Sequence, residues 1–212
     1  MGDEEALEKL AKQIVVCTEC ELHRSRKKAV PGEGPTHAEI MLIGEGPGFH
    51  ENEQGRPFVG ASGKFLDQLL ELAGVTRADV WITNVVKCRP PGNRDPLPEE
   101  IETCTSNYLD HQIEIVNPSI IVTLGRFSMG KFFQGAKITQ IHGQMRKVGD
   151  RFVIAMYHPA AALHQMSLKP AIMEDFGKLP ELLKEARAAL GRSAQGQNQK
   201  TKEDEPKQMS LF

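Results

Sequence analysis

The chain has 212 residues, 40% hydrophobic and 25% charged, which is enough for one domain of ordinary size with a real core and excludes a wholly disordered chain. Its 26 Lys and Arg against 28 Asp and Glu leave a formal net charge of −2, which excludes a histone-like binder and confines any nucleic-acid surface to a local patch. No run approaches the roughly 20 apolar residues of a spanning helix. The start, MGDEEALEKLAKQ, is acidic and amphipathic rather than signal-like, so a cytoplasmic protein is expected.

Leu7, Leu10, Ile14 and Val15 recur at helical spacing and predict a helix over residues 3–16 that delivers the chain to Cys17. Residues 39–44 (E-I-M-L-I-G) form a short apolar run ended by glycine and proline, the pattern of a buried strand followed by a functional loop. Similar runs recur at 80–83, 119–124 and 152–157, and helical patterns lie at about 62–73, 98–116, 126–134 and 171–190. The alternation predicts an α/β fold: a mostly parallel sheet with helices on both faces, because parallel neighbours need crossover connections. In such sheets ligands collect at the carboxyl ends of the strands, so the loops starting at Gly44, Asn84, Gly125 and His158 should converge.

The four cysteines are Cys17, Cys20, Cys88 and Cys104. In a reducing compartment such a set suits a metal better than disulfides, and the C-x2-C pair lets one turn present two sulfurs to one centre. Zinc and a 4Fe–4S cluster both accept four thiolates, and spacing alone leaves the choice open. Either would tie the N-terminal helix to the loop after the second strand.

Residues 44–60 hold five glycines and two prolines in 17 positions, a backbone shaped for close approach to a ligand. Gly63-Lys64 is followed by Phe65 rather than Ser or Thr, so a phosphate-loop pattern is missing and a flat aromatic ligand is expected. The G-x-G-x-x-G fingerprint of dinucleotide enzymes is also missing after the first strand.

Taken together, C-T-E-C-E-L-H (17–23), G-E-G-P-G with G-R-P-F-V-G (44–60), T-N-V-V-K-C-R-P-P-G-N-R (83–94), the cysteine at 104 and Y-H-P-A-A (157–161) resemble the family 4 uracil-DNA glycosylases. The resemblance covers roughly residues 1–190, with the blocks in the right order. It implies a three-layer α/β/α domain with a central four-stranded, mostly parallel sheet, and a 4Fe–4S cluster on Cys17, Cys20, Cys88 and Cys104. It also implies a hydrolase of base excision repair that removes uracil from single- or double-stranded DNA and leaves an abasic site.

A base inside a duplex cannot be attacked, so it must be flipped into a pocket that stacks on its face and reads its edge. Phe58 is the stacking candidate. Asn84 can bond both O4 and N3–H of uracil, and cytosine would leave both partners unpaired. His158 matches the family histidine that bonds uracil O2, where negative charge develops as the glycosidic bond breaks. The match further implies that Glu51 excludes the thymine methyl and that Glu45, Gly46 and Pro47 line the pocket. The best-known uracil glycosylases carry G-Q-D-P-Y, whose Asp orients the attacking water; Gly46 stands there in this chain. Glu45 and Asn93 are the remaining candidates for that task.

Arg24, Arg26, Lys27 and Lys28 follow the cysteine pair, and Lys87, Arg89 and Arg94 flank Cys88, predicting a basic rim for phosphates. Leu163 or Leu168 is a candidate wedge into the base stack. Residues 191–207 contain no large apolar side chain and read as a flexible polar linker. Residues 208–212 (Q-M-S-L-F) resemble the bacterial sliding-clamp-binding peptide, with Gln208, Leu211 and Phe212 as anchors. A monomeric, nucleoid-associated enzyme is expected; the alternative is a non-catalytic iron–sulfur DNA-binding module tethered to the clamp.

Overall fold

The computed structural model describes residues 2–192. Helix α1 (Asp3–Val16) forms as expected: Asp3, Glu4 and Glu5 sit in its first turn, where negative charge suits the helix dipole, and Leu7, Leu10 and Ile14 are buried along one face. The chain then runs through β1 (Ile40–Gly44), α2 (Phe49–Gln54), α3 (Ala61–Leu72), β2 (Val80–Asn84), α4 (Pro98–Cys104) and α5 (Asp110–Val116). It continues through β3 (Ile120–Leu124), α6 (Arg126–Phe132), α7 (Ile138–Ile141), β4 (Met145–Val148), β5 (Arg151–Met156), α8 (Pro159–His164), α9 (Lys169–Gly177) and α10 (Leu179–Leu190).

The strands form one sheet in the order β2-β1-β3-β5-β4. β1 pairs in parallel with β2 and β3, β3 pairs in parallel with β5, and β4 lies antiparallel on the edge. Every residue of β1, β2 and β3 is buried, because both faces are covered. Met41, Ile43, Trp81, Ile121 and Val153 point into one core with Leu10 and Ile14 of α1 and Ile113 of α5. Their alternating neighbours Ile40, Leu42, Ile82, Val122 and Ile154 pack against Leu66, Leu69 and Leu70 of α3, Phe176 of α9 and Leu183 of α10. The result is the expected three-layer α/β/α arrangement.

Besides the short helices α2, α7 and α8, which the sequence patterns do not mark, three details differ from expectation. The sheet has five strands rather than four, because β4 joins the edge. That strand is four residues long and presents exposed Arg146 and Lys147, so it carries no apolar run; short charged edges of this kind resist pairing with other chains. The helix expected over 171–190 is two helices that meet at Lys178, where Gly177 closes α9 and Pro180, lacking an N–H, fits the first turn of α10. Finally, the helical path from 98 to 116 passes through a π-helical turn at Thr105–Leu109, directly after Cys104. Among the described residues no helix is long and apolar enough to cross a membrane. The linker and terminal peptide expected over 191–207 and 208–212 lie outside the described residues from 193 onward.

Candidate active site

Gly44 and Asn84 are register partners at the carboxyl ends of β1 and β2. Pairing continues past the strands: Val85 N–H donates to the Gly44 carbonyl (3.0 Å) and Val86 N–H to that of Glu45 (3.1 Å). The first residues of the glycine-rich loop are therefore pinned, with Gly46 against Val86 and Pro47 buried. A Cβ placed on Gly44 would fall 2.3 Å from Asn84 Oδ1 and 2.8 Å from Phe58 Cζ. The carboxamide and the phenyl ring thus converge on one point, and only a bare backbone leaves room for both.

Phe58 is buried and holds φ at 51°, a left-handed conformation that non-glycine residues rarely adopt. Its surroundings enforce it. Arg77 donates to the carbonyls of Phe58 (3.0 Å) and Pro57 (2.6 Å) and is itself gripped by Glu33 (2.7 Å) and Asp67 (3.1 Å). On the other side the buried Glu51 carboxylate accepts from Val59 N–H (2.8 Å) and Gly60 N–H (3.0 Å). Helix α3 closes the third side: a Cβ on Gly63 would lie 1.9 Å from the Phe58 carbonyl oxygen. Sequence reasoning missed Arg77 and Gly63; nothing local marks Arg77, and a glycine in a first helical turn is only a faint signal.

His158 precedes Pro159 at the start of α8, and its imidazole lies nearly parallel to the Phe58 ring, 23° between planes and 5.4 Å between centroids. Ala160 N–H donates to His158 Nδ1 (3.1 Å), so Nδ1 is the acceptor and the proton resides on Nε2. Burial pushes the imidazole down to about 4, with Glu51 opposing the shift, so at neutral pH the ring is uncharged and Nε2–H is a free donor.

Glu45, next to Gly44, is half-buried; burial and then nearby Asp95 raise its pKa, while Arg126 pulls it down. Asn93 is placed differently. It is exposed, and its Oδ1 accepts from Arg89 Nε (2.7 Å), so its described side-chain contact leads to the rim rather than to the pocket.

The four cysteines are free thiols facing one cavity, shared with Ile14, Arg26, Lys87 and Tyr108. Among the described residues no group of three metal-ligating side chains is drawn together tightly enough for a single ion. Burial raises Cys20 and Cys88 and pushes Cys104 up to about 11. Arg26 Nη1 donates to Cys88 Sγ (3.2 Å) and Nη2 to the Val15 carbonyl (2.8 Å), and Lys87 N–H donates to Cys104 Sγ (3.3 Å).

These contacts redraw the basic rim. Arg26 is half-buried and faces the cysteines, and Lys87 is 1% exposed, so Lys87 is not a surface charge. Arg94 is held by both oxygens of buried Glu100 (2.9 and 2.7 Å). Arg24 and Lys27 remain exposed, with partners Glu21 and Glu53, and Lys28 is exposed too. Arg89 lies 5.3 Å over the exposed Phe49 ring at the loop edge. Of the wedge candidates, Leu163 is exposed at the end of α8, whereas Leu168 packs against the core; Met166, not marked by the sequence, is exposed beside them.

Comparison with known proteins agrees with this geometry. A family model described as the uracil DNA glycosylase superfamily matches residues 31–190. The chain is 48% identical over 190 residues to a type-4 uracil-DNA glycosylase of Sulfurisphaera tokodaii, covering 84% of this chain and 85% of that protein. It is 44% identical to the type-4 enzyme of Archaeoglobus fulgidus (84% and 94% covered) and 42% identical to that of Thermotoga maritima (85% and 96%).

Proposed function

The chain belongs to the type-4 uracil-DNA glycosylases, and from that premise we infer how it excises uracil and which residues do so. It is a hydrolase that cleaves the N-glycosidic bond of uracil in DNA; the alternative of a non-catalytic binding module is not favoured, since its relatives are named as glycosylases. The observation that carries the assignment of roles is the convergence of Asn84 Oδ1, the Phe58 ring and the His158 imidazole at the end of the sheet.

A flipped uracil lies on the Phe58 face. The Asn84 carboxamide donates to O4 and accepts from N3–H, a pairing that cytosine inverts. Thymine's methyl is kept out by the wall that Glu51 holds against Val59 and Gly60. As the glycosidic bond lengthens, electrons flow into the base and negative charge gathers on O2, where His158 Nε2–H donates. Because the imidazole is neutral and its other nitrogen is fixed by Ala160, the donor is in place before the charge forms. The cationic sugar is captured by a water that Glu45, next to Gly44, orients, Asn93 being engaged with Arg89; the proton this water sheds offsets the uracil anion, so that free uracil and the C1′-hydroxyl sugar are the net products.

We assign a 4Fe–4S cluster to Cys17, Cys20, Cys88 and Cys104. Four thiols lining one cavity in a chain of the type-4 family fit that group. When bound, the cluster supplies iron–thiolate bonds that staple α1 to the loop after β2. Arg24, Lys27, Lys28 and Arg89 supply the phosphate contacts.

The test is release of free uracil from matched oligonucleotides carrying U:G, U:A or single-stranded uracil, with cytosine and thymine controls. Wild type is expected to release uracil only; Asn84→Asp, whose carboxylate cannot donate to O4, is expected to lose at least about a hundredfold in rate. Activity of that variant within threefold of wild type would remove Asn84 from the base-reading role.

We further propose that residues 191–207 tether a clamp-binding peptide in which Gln208, Leu211 and Phe212 fill an apolar groove, raising the local concentration of enzyme on replicating DNA. Deleting residues 208–212 should abolish pull-down by the bacterial sliding clamp and leave excision on short oligonucleotides within twofold. Undiminished pull-down would dismiss the peptide.

A further inference from the structure

Lys87 is 1% exposed, among the largest of the fully buried side chains, and nothing in the excision scheme uses it. Its ammonium has three protons and three acceptors: the Asn84 carbonyl (2.6 Å), Thr83 Oγ1 (2.7 Å) and Gln112 Oε1 (2.7 Å). Two of those acceptors are locked from behind, Thr83 Oγ1 donating to the Pro31 carbonyl (3.0 Å) and Gln112 Nε2 to the same oxygen (2.7 Å). All three are neutral oxygens. Burying a cation without a carboxylate partner is costly, and a methionine would fill comparable volume at no such cost, so packing does not account for the residue.

What the ammonium does is local and specific. The Asn84–Val85 peptide is held at both ends, its N–H by the Gly44 carbonyl and its C=O by Lys87. A peptide plane fixed from both sides sets the direction in which the Asn84 Cα–Cβ bond leaves the backbone. We propose that Lys87 is the positioning residue of the base reader: from beneath β2 it orients Asn84 so that the carboxamide meets the edge of uracil. The inference rests on Asn84 reading the base, as argued above.

The experiment is a double-mutant cycle on the full-length, cluster-loaded enzyme, read as single-turnover uracil release. Lys87→Met is expected to slow release by about 10–100-fold, with binding to uracil-free DNA within twofold and the cluster's visible absorbance retained. In an Asn84→Ala background the same substitution should cost less than twofold, because a residue that acts through Asn84 has nothing left to orient. Multiplying losses in the double variant, or a Lys87→Met rate within twofold of wild type, would overturn the proposal while leaving Asn84's role intact. An Asn84→Ala enzyme as fast as wild type would instead sink the base-reading premise, and the proposal with it. Should Lys87→Met fail to fold, Gln112→Met removes one acceptor and keeps the ammonium; a loss of about threefold to tenfold that vanishes in Asn84→Ala supports the proposal, and a loss that persists there overturns it.

Discussion

Replacing Gly44 with alanine is expected to lower kcat/KM for uracil excision by about 10²–10³-fold while leaving the fold, the melting temperature and any bound cluster close to wild type. Gly44 is not among the residues with left-handed backbone, so alanine meets no conformational strain there. The added methyl instead lands 2.3 Å from Asn84 Oδ1 and within 3.0 Å of two Phe58 ring atoms. Phe58 cannot retreat, because Arg77, Glu51 and α3 hold its backbone. Asn84 cannot retreat either, since its peptide is bonded at both ends. The clash must therefore be relieved by rotating the carboxamide or tilting the ring, and displacements near 1 Å at a reacting centre cost about a hundredfold. Gly63→Ala, by contrast, drives a methyl into the Phe58 backbone itself and should reduce folding yield as well as activity. An alanine variant at Gly44 with activity within threefold of wild type, on the same oligonucleotides, would show that the two side chains do not share one ring.

The contrast between these glycines also shows what the sequence can and cannot display. Asn84 and His158 are legible because chemistry and position coincide: a polar residue ending an apolar strand in a parallel sheet points at the ligand crevice. Phe58 is legible through the glycine and proline density around it. The scaffold behind them is not. Arg77 joins residues 33, 57, 58 and 67, and no local pattern announces contacts so scattered. Lys87 reads as a rim charge because it stands next to Cys88 and Arg89, yet the bend after β2 turns its side chain back under the strand; adjacency in sequence does not say which way a side chain leaves a turn. Arg26, in the same way, belongs to a run of basic residues yet turns one end of its guanidinium to the cysteines. β4 escapes because charge on an edge strand erases the apolar signal on which strand recognition depends.

Substituting His158 with leucine should cut kcat by about 10²–10³-fold with little change in KM, the effect of removing one donor aimed at developing charge. The pH dependence separates this from a proton-transfer role. With the imidazole held down to about 4 by burial and Nδ1 accepting from Ala160 N–H, wild-type kcat should run flat through pH 6.5 and fall only as the pH nears 4. Protonation there would set a new N–H at Nδ1 against the Ala160 N–H, donor against donor, and swing the ring out of place. The same group acts on stability with a definite sign. Its folded pKa lies below the unfolded value, so the unfolded chain binds a proton that the native state refuses, and stability declines as pH drops from about 6.5 toward 4, by up to about 3 kcal/mol. The leucine variant should lose less over that window. Glu45→Gln is expected to slow turnover no more than about fivefold, because a sugar with oxocarbenium character accepts even neutral water and asks only for orientation. A wild-type rate limb near pH 6.5, or a Glu45→Gln loss as large as that of His158→Leu, would show that a proton moves in the rate-limiting step and that the neutral-donor mechanism is wrong.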